Sequence, residues 1–151
     1  MIIGQMRTPN VVVTYPDEPL AGAARTMRDN HVGALVVLDP RDPQRRPQGI
    51  LTDRDIVRGQ LLKEADLHCL NVGDVMTSNP LVLPLHMGLS EAIGTLKSRG
   101  VRRAPVVDGD GGLVGIVTLD DLLPALARNL QDLAKLMGGQ SRNPGVPWGE
   151  R

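Results

Sequence analysis

Two stretches of the chain place a threonine hydroxyl and an aspartate carboxylate three residues apart, at residues 49–55 (GILTDRD) and 115–121 (GIVTLDD). Each pattern predicts a strand that ends at the threonine and continues directly into a helix. A carboxylate can accept two hydrogen bonds from a vicinal diol, and a threonine hydroxyl both donates and accepts. The amides of a helix start favour phosphate oxygens. The two predicted ribose-binding pairs are Thr52 with Asp55 and Thr118 with Asp121.

The same pairs have a simpler interpretation. Thr52 and Thr118 can serve as helix N-caps, each followed by an acidic first turn that suits the helix dipole. Capping and ligand binding can also coexist, so the residue pattern is compatible with both interpretations.

Composition excludes several classes of function. Lys+Arg and Asp+Glu both number 17, so no net charge attracts nucleic acid or an anionic membrane. The chain has no Phe, and Tyr15 and Trp148 are its only aromatic residues, so it lacks stacking platforms for single-stranded nucleic acid. No stretch approaches the roughly 18 apolar residues of a membrane span. The lone Cys69 cannot form an internal disulfide, and a reducing cytoplasm is the expected compartment.

The sequence repeats itself. When the chain is aligned with itself, Val37-Leu38-Asp39 matches Val106-Val107-Asp108, but the Thr-x-x-Asp stretches then match only after a gap. The gap arises because the first copy carries extra residues in the loop before its last strand, as a surface turn tolerates. Each copy predicts the order β-α-β-β-α, and neither is large enough to be comfortably stable alone, so the copies should pack on each other.

The predicted boundaries follow from this repeat. We expect a first repeat over residues 1–62, a connector over 63–71, a second repeat over 72–130, and the end of a terminal helix with a disordered tail over 131–151. Leucines at helical spacing mark that terminal helix, and Gly138-Gly139 is predicted to end it.

Five segments in order resemble a tandem pair of cystathionine-β-synthase (CBS) domains. They are VGALVVLD at 32–39, GILTDRD at 49–55, DVMT at 74–77, GVRRAPVVD at 100–108 and GIVTLDD at 115–121. The resemblance implies an α+β fold of two repeats related by a pseudo-two-fold axis. It further implies adenosine-containing ligands (AMP, ADP, ATP, NAD-type dinucleotides or S-adenosylmethionine) in the cleft between repeats, and a disk-shaped homodimer. Nearly the whole chain is the pair, as in a stand-alone CBS protein.

Further site residues are assigned in the light of this resemblance. Arg54, Arg102 and Arg103 are predicted to contact phosphate, whereas Asp120, which matches Arg54 in the second copy, would repel it. The two sites should therefore differ in their preference for charge. For Arg102 and Arg103 the alternative is a solvated strand edge or a dimer salt bridge. The candidate adenine pockets, for which core packing is the alternative, comprise Val13, Thr14, Val32 and Ala34 in the first copy and Val82, Leu83, Val101 and Ala104 in the second.

The expected function is ligand sensing without catalysis. His31, His68 and His86 are scattered, and the adjacent pair His68-Cys69 is poorly placed for a tetrahedral metal. We therefore expect no metal and no required cofactor, with an adenine nucleotide as regulatory ligand and an unidentified protein effector downstream. A ligand-free module for homodimerisation or partner docking through the leucine-striped helix is the alternative. Nucleic-acid binding through scattered arginines is a third hypothesis, which the charge balance disfavours.

Overall fold

The computed structural model describes residues 1–140, and the predicted order β-α-β-β-α is present twice. The first repeat contains β1 (Val13–Thr14), α1 (Leu20–Asn30), β2 (Ala34–Leu38), β3 (Pro47–Thr52) and α2 (Asp53–Lys63). The second contains β5 (Leu83–Pro84), α4 (Leu89–Arg99), β6 (Arg103–Val107), β7 (Leu113–Thr118) and α5 (Leu119–Gln140). A 3-10 turn (Ile3–Gln5), α3 (Val72–Val75) and β4 (Thr77–Ser78) were not predicted from the sequence.

The observed elements differ from the predicted ones at several strand starts and at the end of α5. The apolar runs predict strands that start at residues 11, 32, 81 and 101. These four strands each begin two residues later, at Val13, Ala34, Leu83 and Arg103, because the residues before them lie outside the hydrogen-bonded ladders. Gly100 predicts the end of the helix that begins at Leu89, and α4 does end there, with Gly100 in the left-handed conformation at φ 65°. The prediction that Gly138 ends α5 was wrong, since a glycine weakens a helix by roughly 1 kcal/mol but keeps its amide. The predicted tail at 141–151 lies outside the described residues.

Two small sheets form the centre of the molecule. In the first, the strand order is β1-β2-β3-β4, with β1 parallel to β2 and the other pairs antiparallel. In the second, the order is β5-β6-β7, with β5 parallel to β6 and β7 antiparallel to β6. Alternate residues of β2 face opposite cores, with Leu35 and Val37 in the core of the first repeat. Val36 and Leu38 instead pack against Leu113 of the second repeat, so the repeats share an apolar interface.

The two lead-in segments, residues 2–8 and 71–77, are exchanged between the repeats. Ile3 is fully buried in the core of the second repeat, and Val72 is fully buried in the core of the first. The Ile3 amide donates to the Met87 carbonyl, and the Val72 amide donates in the same way to Glu18, both at 2.9 Å. Such equivalent contacts express the pseudo-two-fold relation between the repeats.

Candidate functional site

A wide cleft of about 650 Å³ opens between the repeats where α2 and α5 begin. From the first repeat it takes Thr52 and Asp55, and from the second the start of β6. Its full lining comprises Ile50, Thr52, Asp53, Arg54, Asp55, Thr77, Val101, Arg102, Arg103, Thr118, Leu119 and Asp120.

A narrow cleft of about 220 Å³ lies beside it. Here Thr118 and Asp121 come from the second repeat, whereas most of the apolar wall comes from the first. The lining comprises Thr8, Asn10, Val11, Val12, Val32, Gly33, Ala34, Arg103, Ile116, Thr118 and Asp121.

The two clefts are therefore built crosswise. In the wide cleft, the Thr-x-x-Asp of the first repeat faces the residues that precede and begin β6. In the narrow cleft, the Thr-x-x-Asp of the second repeat faces the residues that precede and begin β2. In the alignment of the two copies, Val32 of the narrow cleft corresponds to Val101 of the wide cleft, and Thr8 corresponds to Thr77. The exchange of lead-in segments produces this arrangement, because it brings Thr8 against β7 and Thr77 against β3.

Each threonine–aspartate pair is a reciprocal N-terminal cap. The Thr52 amide donates to Asp55 Oδ2 at 2.9 Å, and the Asp55 amide donates to Thr52 Oγ1 at 3.1 Å. In the second pair, Asp121 Oδ2 accepts from both the amide and the hydroxyl of Thr118, at 2.9 and 3.0 Å. The capping interpretation is thus what the structure shows. Within the described residues, Oδ1 of each aspartate accepts no hydrogen bond, so a diol can still bind there while the cap remains intact.

All three arginines that were predicted to contact phosphate line the wide cleft. Three aspartates, Asp53, Asp55 and Asp120, line it too, so the lining is formally neutral. No Arg–Asp pair of this lining lies within 4 Å in the part of the chain described. Asp120 differs from its predicted position: it shares the wide cleft with Arg54, and neither residue lines the narrow cleft. The opposite charges of Arg54 and Asp120 therefore cannot make the two clefts differ in their preference for phosphate.

The predicted adenine-pocket residues divide into two groups. Val32 and Ala34 line the narrow cleft and Val101 lines the wide one. The other five lie outside both linings. Thr14, Leu83 and Ala104 are buried, Val13 packs in the interface between repeats, and Val82 is half-buried.

Strand geometry explains Val13, Thr14, Leu83 and Ala104, because residues within a ladder alternate between opposite faces of the sheet and these four face packed neighbours. Val82 precedes β5 and lines neither cleft. The Thr14 hydroxyl is also engaged, since it donates to Glu18. The cleft residues missed from sequence include Thr8, Val11, Val12 and Thr77. The repeat itself carried a signal for two of them, since Thr8 and Thr77 occupy equivalent positions in the two copies.

Other kinds of site are not formed by the described residues. Over residues 1–140, no group of three or more His, Cys, Asp or Glu side chains is placed to hold a metal ion. In the same part of the chain, no helix combines the length and the apolar character needed to cross a bilayer.

Comparison with known proteins agrees with this architecture. A family model described as the CBS domain matches residues 3–61 and again residues 72–128. The chain belongs to the CBS-domain family. The two matched segments together contain both clefts described above, including both Thr-x-x-Asp pairs.

Several relatives of this CBS-domain protein are of similar size. Hypoxic response protein 1 of Mycobacterium tuberculosis is 33% identical over 117 residues, covering 78% of this chain and 76% of its own. The CBS domain-containing protein YhcV of Bacillus subtilis is 33% identical over 115 residues, covering 76% and 78%. Among solved structures, CBSX2 in complex with AMP superposes with a TM-score of 0.71 at 29% identity, covering 84% of this chain and 96% of CBSX2.

Proposed function

We propose that this protein is a regulatory module that binds an adenosine-containing nucleotide in the clefts between its CBS domains and catalyses no reaction itself. The observation that carries the proposal is the crosswise placement of Thr-x-x-Asp opposite a strand start that presents a valine, Val101 in the wide cleft and Val32 in the narrow one. The similarity to CBSX2, a protein solved with AMP, supports the choice of ligand class. The nucleotide is the regulatory signal, and no cofactor is required.

The lining residues suggest how such a ligand lies in the wide cleft. Asp55 Oδ1 accepts from the ribose hydroxyls, and the adenine packs against the exposed side chain of Val101. The phosphates extend toward the starts of α2 and α5, where the helix dipoles favour negative charge and Arg54 and Arg102 add positive charge. The narrow cleft offers Asp121 to the ribose and Val32 to the adenine, but has Arg103 as its single cation among the described residues. Both linings are formally neutral, since three aspartates offset the three arginines of the wide cleft and Asp121 offsets Arg103 in the narrow one. We expect the wide cleft to prefer phosphorylated ligands more strongly because it offers more guanidinium donors and two helix starts, not because of its net charge.

Self-association is part of the proposed function. Val57, Leu61 and Leu62 of α2 are 57%, 74% and 79% exposed, which is a high proportion for neighbouring apolar residues. Apolar residues that are also exposed on α5 are Leu123, Leu126, Leu130, Leu133, Leu136 and Met137. We propose that these helices pair with those of a second copy to form a homodimer, whose shape then reports nucleotide occupancy to a protein effector. The expected location is the cytoplasm, where the exposed Cys69 thiol stays reduced.

Titration calorimetry of AMP, ATP, NAD and S-adenosylmethionine tests the proposal, with the double variant Asp55→Asn/Asp121→Asn as the decisive comparison. Asparagine keeps an acceptor for the helix cap but removes the charge that the ribose needs, so we expect binding to fall by at least tenfold. Asp74→Asn is the matched control, because Asp74 caps α3 in the same way, at 2.8 Å from the Asn71 amide, and lines neither of these clefts. Equal binding by the double variant would contradict the site assignment.

The exposed leucine stripe also favours a second candidate function, a dimerisation or docking module that needs no ligand. The calorimetric screen separates the two candidates. The second is supported if the wild-type protein is a stable dimer and none of the nucleotides produces a binding heat or changes its sedimentation coefficient.

A further inference from the structure

Two residues form the wall between the clefts. The linings of the wide and narrow clefts have Arg103 and Thr118 in common and share no other described residue. These two are partners in register across β6 and β7. A side chain at position 103 can therefore contact a ligand on either side of this wall.

The equivalent wall in the first repeat carries no charge. Ala34 and Thr52 correspond to Arg103 and Thr118 and are likewise partners in register, across β2 and β3. Ala34 lines only the narrow cleft, and Thr52 lines only the wide one. Among the described residues, the pseudo-symmetric pair of clefts thus has a single guanidinium that reaches both.

The position of that guanidinium supports this dual access. Arg103 Nη1 lies 3.8 Å from the point that a Cβ on Gly33 would occupy, and Gly33 lines the narrow cleft. Asp53 Oδ2, which belongs to the wide cleft, lies 3.5 Å from the same point. Within residues 1–140, the Arg103 side chain has no carboxylate within 4 Å and forms no hydrogen bond. It is therefore available to a ligand.

We propose that Arg103 couples the two clefts negatively, so that a phosphorylated nucleotide in one cleft weakens the binding of a phosphorylated nucleotide in the other. The inference rests on the proposed function. The Arg103 side chain adopts one conformation at a time, so a guanidinium that turns into one cleft to bind a phosphate bidentately is withdrawn from the cleft on the other side of the wall. Because coupling between sites is reciprocal, whichever cleft is filled first draws Arg103 and disfavours the other. A nucleoside has no phosphate for Arg103 to bind, so adenosine should bind to the two clefts independently.

The test compares AMP with adenosine by titration calorimetry. The Asp121→Asn variant has a weakened narrow cleft and therefore reports the affinity of the wide cleft alone. The Asp55→Asn variant reports the affinity of the narrow cleft in the same way. In the wild type, we expect the second AMP to bind about tenfold more weakly than its cleft does alone, and adenosine to show independent sites. Arg103→Ala, which installs the residue of the first repeat, should abolish the coupling. Arg102→Ala is the control, because Arg102 lines only the wide cleft; it should weaken AMP there and retain the coupling.

Stoichiometry gives a second readout. If the wild type binds one AMP and Arg103→Ala binds two, the coupling is strong and the inference is supported. It is overturned if the coupling persists in Arg103→Ala, if adenosine shows coupling of the same size, or if AMP binds independently in the wild type. One AMP in both proteins overturns it as well. Failure of every nucleotide to bind the wild type would instead contradict the proposed function.

Discussion

Thr8 and Ile116, which are far apart in the chain, exchange two backbone hydrogen bonds of 2.9 and 3.0 Å. Thr77 and Ile50 are the equivalent register partners in the other half of the molecule. Through these contacts each repeat receives a lead-in segment that is adjacent in sequence to the other repeat. The exchange also contributes Thr8 and Thr77 to the clefts.

Because of this exchange, a destabilising substitution near the N-terminus should destabilise the second repeat. Ile3→Ala removes a fully buried side chain from that core and should lower the free energy of unfolding by about 2–5 kcal/mol. In native-state hydrogen exchange, protection should fall first in α4 and β7. Met1→Ala is the control, because Met1 is 54% exposed. A loss of protection confined to α1 and β2 would contradict the exchanged arrangement.

A pair of helical glycines predicts opposite effects of the same substitution. A Cβ on Gly59 would lie 2.3 Å from Val75 Cγ1 and 2.8 Å from Val75 Cβ, so α2 and α3 would have to move apart. Gly59→Ala should therefore destabilise the protein by about 1–3 kcal/mol in urea unfolding. A Cβ on Gly94, inside α4, meets nothing within 4 Å, and Gly94→Ala should stabilise by about 0.5–1 kcal/mol. Equal effects at the two sites would show that α3 does not pack on α2 as described.

Two arginines one turn apart on α2 test the phosphate assignment. Arg54 lines the wide cleft, whereas Arg58 does not. Arg54→Ala should weaken AMP binding at that cleft by about tenfold, the equivalent of one charge-assisted hydrogen bond, and leave adenosine binding unchanged. Arg58→Ala should leave both affinities as they are. Parallel losses for AMP and adenosine in Arg54→Ala would indicate a structural defect rather than a lost phosphate contact.

The dimer surface can be tested by introducing charge. Leu61→Glu on α2 and Leu130→Glu on α5 place a carboxylate on side chains that are 74% and 60% exposed. Burying that charge in an interface is costly, so we expect both variants to sediment as monomers where the wild type is a dimer. Ser98→Glu adds the same charge to an exposed position of α4 and should remain dimeric. If only Leu130→Glu dissociates, the interface is formed by the terminal helix alone.

The longer loop of the first repeat predicts a pH dependence. A hydrogen bond from the Arg46 guanidinium, at 2.9 Å, holds the pKa of Asp42 below its usual value. Asp42 also accepts from the Gln44 and Arg46 amides, in a loop where the Arg45 carbonyl accepts from Leu113 of the second repeat.

Because the pKa of Asp42 is lowered by folding, its contribution to stability is present above the unfolded value of about 3.9 and is lost as the pH falls through the folded value. Asp42→Asn should therefore show a smaller decrease in Tm between pH 5 and pH 3 than the wild type. Asp110→Asn, in the shorter turn of the second repeat, should behave as the wild type does. An identical acid response of Asp42→Asn and the wild type would refute this assignment.

Much of the local structure was predictable because local chemistry determines it. The sequence predicts a helix over 89–99, a strand over 113–118 and a helix that starts at Asp53, and α4, β7 and α2 match these predictions. They do so because capping residues, apolar periodicity and Gly100 act over only a few positions of the chain. The Thr-x-x-Asp pairs were recognised in the same way, because a cap and its carboxylate are three residues apart. Four strand starts were predicted two residues too early, because the apolar residues at 11, 32, 81 and 101 continue the apolar pattern but lie in front of the ladders.

The sequence by itself determined the repeat, the order of elements and the two threonine–aspartate pairs of this CBS-domain protein. Only the tertiary structure decided which residues share a cleft. Ile3 and Val72 are similar apolar residues in equivalent positions, and the repeats offer similar cores, so no local signal indicates which core receives which segment. That choice depends on contacts between distant parts of the chain. It places Asp121 beside Val32 and makes Arg103 common to both clefts.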